Sequence, residues 1–186
     1  MIKTVRRSRG FTLVELLVVI AIVAILASVV LLILDPPEIQ KRGRDSSRLA
    51  DLANLNNAIS SAVAESESDA ETVLCNGEGY PCVGSSYPVG ANTRKVDGTG
   101  WVKVNLTTGS LRLPTLYSDP TNDSAYHFTY CADNDAYELN TTLESDKESV
   151  RMADDGGDQN ATDATGRYEI GSNLTLINSS GEPCAY

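Results

Sequence analysis

The chain has 186 residues, with 15 Lys and Arg against 25 Asp and Glu, a formal net charge of −10 and one histidine. That length accommodates one medium domain, and the acid excess leaves no basic patch to neutralise phosphates, which argues against nucleic acid as a partner. An acidic surface of this kind suits solubility, salt tolerance or divalent cations.

Residues 1–10 form a short basic leader carrying Lys3, Arg6, Arg7 and Arg9 and ending in Gly10. Without these four, 11 basic residues face the same 25 acids, and the formal charge moves from −10 to −14. An apolar run follows from Phe11 to Leu34, interrupted by one charge, Glu15. Its 24 residues (11 to 34) at 1.5 Å rise span a hydrocarbon layer of roughly 30 Å. Basic residues before the run and an acidic body after it place the leader in the cytoplasm and the rest outside. A carboxylate within such a run costs roughly 2.5–3.5 kcal/mol on insertion scales, so Glu15 demands a functional partner. An ordinary secretory signal ending at Ala27-Ser28 would not hold an acid in its core or continue past that point. A plain single-pass anchor explains the length and leaves Glu15 unexplained.

The segment Gly10-Phe-Thr-Leu-Val-Glu-Leu-Leu-Val-Val-Ile-Ala-Ile-Val-Ala-Ile-Leu-Ala-Ser28 closely resembles the N-terminus of type IV pilins and type II secretion pseudopilins. The resemblance implies cleavage between Gly10 and Phe11 by a membrane prepilin peptidase and N-methylation of Phe11. It further implies that Glu15 faces the Phe11 amine of a neighbouring subunit in a filament. Weaker matches to the head of the major pseudopilin and related pilins follow at Gly100-Trp101-Val102, Leu113-Pro114, Asp119-Pro120-Thr121-Asn122 and Tyr137-Glu138-Leu139.

Asp35-Pro36-Pro37 interrupts the helix, because proline lacks an N–H and clashes with the preceding turn; a kink or short melted segment is expected there. Residues 35–66 read as an amphipathic continuation, with Ile39, Leu49, Leu52, Leu55, Ile59 and Val63 at spacings of three and four. Residues 67–186 form the head. Within it, 67–100 reads as a long loop, and Trp101–Leu106 alternates like a strand. Ala125–Ala132 and Ala136–Leu143 form a hairpin around Asp133-Asn134-Asp135, and Tyr168–Gly171 with Leu174–Ile177 forms a last strand pair. The expected fold is α+β, a long N-terminal helix packed on a small antiparallel sheet.

Cys75, Cys82, Cys131 and Cys184 all follow the apolar run. In an oxidising compartment an even set reads as two disulfides. Three pairings are possible and the sequence does not select among them; we favour Cys75 with Cys82 and Cys131 with Cys184. A zinc site would need short paired spacings that are absent.

Chemistry is otherwise sparse. His127 falls in a predicted strand, where a structural role is the simpler reading, and Gly-x-Ser-x-Gly and phosphate-loop motifs are missing. No enzymatic activity is expected. Asp154, Asp155 and Asp158 in a glycine-containing loop are calcium candidates, since a hard cation takes six to eight oxygens, and the resemblance to the major pseudopilin strengthens this. A solvated acidic loop is the plainer alternative. Asn-x-Ser/Thr triplets at Asn105, Asn122, Asn140, Asn160, Asn173 and Asn178 are potential sugar acceptors, although a head rich in Asn, Ser and Thr generates them by chance.

The expected protein is thus a structural subunit that is first a single-pass cytoplasmic-membrane protein contacting lipid. It then becomes part of an extracellular homopolymer on the cell surface, after processing by the prepilin peptidase and handling by an inner-membrane assembly platform. Two alternatives stand beside it: a pseudopilin of a type II secretion or DNA-uptake system, and a membrane-anchored binding module.

Overall fold

The computed structural model describes residues 10–33, 35–157, 166–178 and 184. The chain divides into two compact units, Met1–Ile39 and Gln40–Tyr186, and the layout is α+β.

In the first unit, α1 (Leu13–Ile33) is apolar all round, and its described side chains are exposed, from Leu13 to Val30. A helix of that kind has no soluble face to turn outward and is long and apolar enough to cross a membrane. The first helix ends at Ile33, and α2 (Pro36–Glu65) begins on the first proline. The apolar run and its continuation are therefore two helices, divided at the Asp35-Pro36-Pro37 interruption that the sequence leads one to expect. Pro36 occupies the first helical position, where its missing N–H costs nothing. The Asp35 side chain accepts from the Glu38 amide at 3.4 Å, and the Asp35 carbonyl accepts from Ile39 at 3.1 Å.

The second unit is built on a four-stranded antiparallel sheet in the order β1 (Cys82–Ser85), β2 (Thr129–Asp133), β3 (Ala136–Thr141), β4 (Tyr168–Gly171). The β2–β3 hairpin is the predicted one. Asp133 pairs with Ala136, and the two intervening residues, Asn134 and Asp135, have φ of 49° and 63°. Such a two-residue turn matches the right-handed twist of the strands, and Asn and Asp tolerate the left-handed region.

Several elements differ from expectation. The supposed loop 67–100 contains α3 (Ala70–Leu74) and the edge strand β1. Asp69 starts α3 by accepting from the Thr72 amide at 2.7 Å, a cap visible as Asp-x-x-Thr. Trp101–Leu106 is not a strand. Its amides reach back singly, Trp101 to the Thr93 carbonyl at 3.0 Å and Leu106 to Val96 at 2.7 Å. A Cβ at Gly84 would lie 1.8 Å from the Trp101 carbonyl oxygen, so this segment crosses over the face of β1 instead of pairing along its edge. Residues 125–128 precede β2 as a turn, because the Asp123 carboxylate holds the amides of Ala125 and Tyr126 at 2.9 and 2.8 Å. Leu174–Ile177 also forms no strand. The Asn173 side chain accepts from the amide and hydroxyl of Thr175 at 3.2 and 2.9 Å, turning the chain away from the sheet directly after β4.

Both faces of the sheet are covered, which explains why β2 and β3 are buried at nearly every position. On the near face, Tyr130, Ala132, Tyr137 and Leu139 join Leu52, Leu55, Ala58 and Ile59 of α2 in the main core, with Trp101, Val102, Val104, Leu106 and Phe128. The Tyr137 hydroxyl pairs with Ser60 Oγ at 2.7 Å and Asn56 Oδ1 at 2.8 Å, anchoring β3 to the helix. On the far face Cys131 packs with Leu176, Ile177 and Cys184. There Glu138 Oε2 accepts the amides of Leu176 and Ile177 at 2.9 and 3.0 Å. Disulfides join Cys75 to Cys82 and Cys131 to Cys184, with Cα separations of 5.7 and 6.2 Å; cross-links of this kind typically contribute about 2–4 kcal/mol by restricting the unfolded chain.

Candidate functional site

The N-terminus of α1 carries the residues that the sequence singles out. Phe11 is 83 % exposed, and Glu15 occupies the third helical position. Thr12 is the N-cap: its hydroxyl accepts from the Glu15 amide at 3.2 Å, while Glu15 Oε2 accepts from the Thr12 amide and hydroxyl, each at 2.8 Å. This reciprocal pair is a capping box, which satisfies two donors that a helix start otherwise leaves bare. The signal for it in the sequence is Thr12-x-x-Glu15, which the charge of Glu15 in an apolar run obscures. The carboxylate thus has a local role in a single copy of the chain, while its negative charge is left without an opposing charge there among the described residues. The capping box also fixes where the acid sits, at the helix start beside the Gly10-Phe11 bond. A new amine on Phe11 would arise there. Residues 1–9 of the leader lie outside the described residues.

Among the described residues of the head, the titratable groups that the sequence singles out serve the fold. His127 Nδ1 lies 3.1 Å from the Asp123 carbonyl; burial, with the charge of Arg167, depresses its pKa. Asp155 serves the fold, accepting from the Gly157 amide at 3.0 Å through Oδ1 and from Glu169 of β4 at 2.8 Å through Oδ2. That second bond occupies an outward amide of the edge strand, which otherwise invites pairing with another chain. Among the described residues no group of three His, Cys, Asp or Glu could hold a metal. Asp154 is described, whereas Asp158 lies outside the described residues, as does Asn160.

The other potential sugar acceptors separate by burial and bonding. Asn140 is fully buried. Asn122 is held by Ser86, donating to its carbonyl at 3.1 Å and accepting from its hydroxyl at 2.7 Å. Asn105 is exposed, its side-chain oxygen taken by its own Thr107.

Sequence reasoning gave no hint of an ionic hub that ties α2 to the head. Arg48, fully buried, pairs with Asp119 through Nε at 2.6 Å and Nη2 at 2.9 Å, and with Asp45 through Nη1 at 2.8 Å. Its Nη2 also reaches Glu144 at 2.5 Å, and the guanidinium lies 5.1 Å from the Tyr126 ring centroid. Arg44 grips Glu144 from the side, Nε to Oε1 at 2.8 Å and Nη2 to Oε2. Asp45 in turn accepts the amides of Glu144 and Ser145 at 2.9 and 2.7 Å. Asp119 closes its own turn by holding the amides of Thr121 and Asn122 at 2.8 and 3.1 Å.

The hydrogen bond from Arg44, followed by the bond and charge of Arg48, lowers the Glu144 pKa from 4.5 to about 2. A group whose folded pKa is depressed stabilises the fold above its unfolded pKa and loses that contribution as pH falls through the folded value. Stability is therefore expected to drop between about pH 4.5 and pH 2, and the drop should be shallower in Glu144→Gln. Burial acts the other way on Asp51 and Asp155, whose pKa values are raised, so the wild-type minus variant difference in denaturant unfolding is the quantity to measure. An identical pH slope in the two proteins would contradict this assignment.

Residues 5–31 match the family model described as the prokaryotic N-terminal methylation motif. This is the class III signal of type IV pilins and pseudopilins. No curated protein and no solved structure matches the chain. The motif, the exposed apolar helix behind it and the α+β head together support a type IV pilin-like or pseudopilin-like protein, and the motif points to a structural role.

Proposed function

We propose that the chain is the structural subunit of a type IV pilus or related filament, polymerising through residues 11–34 once the leader is removed. The observation that carries this is Glu15 at the capped start of an exposed apolar helix, inside the matched methylation motif. Bundling such helices removes apolar surface from contact with lipid or water, while the acidic heads remain outside. Cleavage between Gly10 and Phe11 by a prepilin peptidase creates the Phe11 amine, and N-methylation leaves it cationic. Glu15 of a neighbouring copy then supplies the opposing charge, because an ion stranded in an apolar bundle is far costlier than a paired one. Before assembly the same helix anchors the chain in the cytoplasmic membrane.

Mass spectrometry of the mature N-terminus tests the processing step: a peptide beginning with methylated Phe11 is expected, and an intact Gly10-Phe11 bond in the cell-surface protein would remove the basis for polymerisation. The motif serves pseudopilins equally, and a pseudopilin of a secretion or DNA-uptake machine is the second reading. Imaging of purified surface appendages, with their main chain identified, separates the two: a long filament made of this subunit supports the pilus.

A further inference from the structure

The far face of the sheet carries a polar row that neither the filament reading nor the head's ionic hub uses. Register places Thr129 of β2 opposite Asn140 of β3, and Asn140 opposite Glu169 of β4. These three side chains therefore form one line across three strands, on the face that also bears Cys131 and Glu138. All are buried: Asn140 at 0 % exposure, Thr129 and Glu169 at 2 %. Among the described residues, Asn140 Oδ1, Asn140 Nδ2 and Thr129 Oγ1 have no hydrogen-bond partner. An amide and a hydroxyl left so in a folded interior are costly, and native proteins meet such needs with ordered water.

The geometry points to a structural hydration site at Asn140 and Thr129, one or more enclosed water molecules bonded to both side chains in the middle of the sheet. The chemistry of the row selects water over a cation. Asn140 needs an acceptor for Nδ2 as well as a donor for Oδ1, and water supplies both, whereas a metal ion would take the oxygen and leave the N–H stranded. Arg167 donates from Nη1 to Thr142 Oγ1 at 2.6 Å on the same side of the sheet, so its charge stands against the carboxylate of Glu169 in the row and neither sign dominates there. The consequence is register control. Slipping β3 by one residue would carry Asn140 from this row into the apolar core beside Tyr130 and turn Leu139 out of it.

The test uses the full chain in detergent micelles after treatment with a chelator. High-resolution density is expected to show water within about 3 Å of Asn140 Oδ1 and Nδ2. Density for an ion at coordination distance, or a protein atom on both amide atoms, overturns the proposal. Asn140→Leu, of similar size, strands the water, and Tm is expected to fall by at least about 2–4 °C, the shift that 1 kcal/mol produces in a domain of this size. A dry site gives the opposite sign, since removing an unsatisfied amide raises Tm. Should Asn140→Leu fail to fold, Thr129→Val decides. Valine favours strands more than threonine does, so a lower Tm there reports the lost hydrogen bond and an unchanged or higher one overturns the site.

Discussion

Replacing Arg48 by methionine is expected to cost the head about 3–5 kcal/mol, because it removes one partner of a buried ionic cluster and leaves the others uncompensated. Asp45 and Asp119 are 0 % and 3 % exposed, so neither carboxylate can recover its hydration without opening the fold. The loss is a large share of the 5–15 kcal/mol, roughly, that holds a typical domain. Denaturant unfolding followed through Trp101, the single tryptophan and itself buried, reads the change directly. Arg48→Lys should recover only part, since an ammonium cannot reproduce the forked contact to both oxygens of Asp119. Adding Asp119→Asn to Arg48→Met should be less damaging than the sum of the two single changes, because the second removes the charge that the first exposes. A loss below about 1 kcal/mol, the range of a surface ion pair, would mean that the cluster is wet and the burial argument wrong.

Glu15→Ala is expected to leave the chain cleaved and membrane-inserted while reducing filament yield by at least about ten-fold, the factor that 1.4 kcal/mol represents. The argument depends on separating two roles of the same carboxylate. In one copy it caps α1 by accepting from Thr12, and losing such a cap costs about 1 kcal/mol. In the proposed polymer it also neutralises the amine of a neighbour. Thr12→Val removes the hydroxyl contacts but keeps the charge, so it should weaken the helix start with little effect on assembly. Quantifying filaments sheared from cells that express each variant distinguishes the roles. Normal yield from Glu15→Ala would end the pairing mechanism, and equal losses in both variants would reassign Glu15 to capping alone.

The features legible in the sequence are those written in consecutive residues. The apolar helix, its stop at Asp35-Pro36-Pro37 and the Asn134-Asp135 hairpin each depend on a few neighbouring side chains and on backbone preferences that need no distant partner. The capping box is equally local, but Glu15 carries two signals at once, a charge in an apolar run and the third residue of a helix after Thr12, and the first masks the second.

Trp101–Leu106 and Leu174–Ile177 failed for the converse reason. Their alternation is real, but apolar periodicity reports burial and not hydrogen-bond partners. The crossing over Gly84 in one case and the Asn173 turn in the other sent the backbone elsewhere. Likewise β1 was hidden in a stretch without period, since a four-residue edge strand with buried Cys82 and exposed Val83 is too short to show one.

By itself the sequence determined the segment plan: a basic stretch ending in Gly10, an apolar helix with one acid, and an acidic α+β head. It could do so because membrane passage and helix initiation act on contiguous segments. Only the tertiary structure decided what holds the head together. Arg48 and Asp119 are 71 residues apart, Arg44 and Glu144 are 100 apart, and nothing in the local sequence distinguishes those charges from solvated ones. Burial makes the difference, because the same ion pair that is nearly neutral in water becomes decisive where its members cannot be hydrated. The polar row through Asn140 belongs to the same category: three unremarkable residues on three strands, given meaning by register and by the exclusion of bulk solvent.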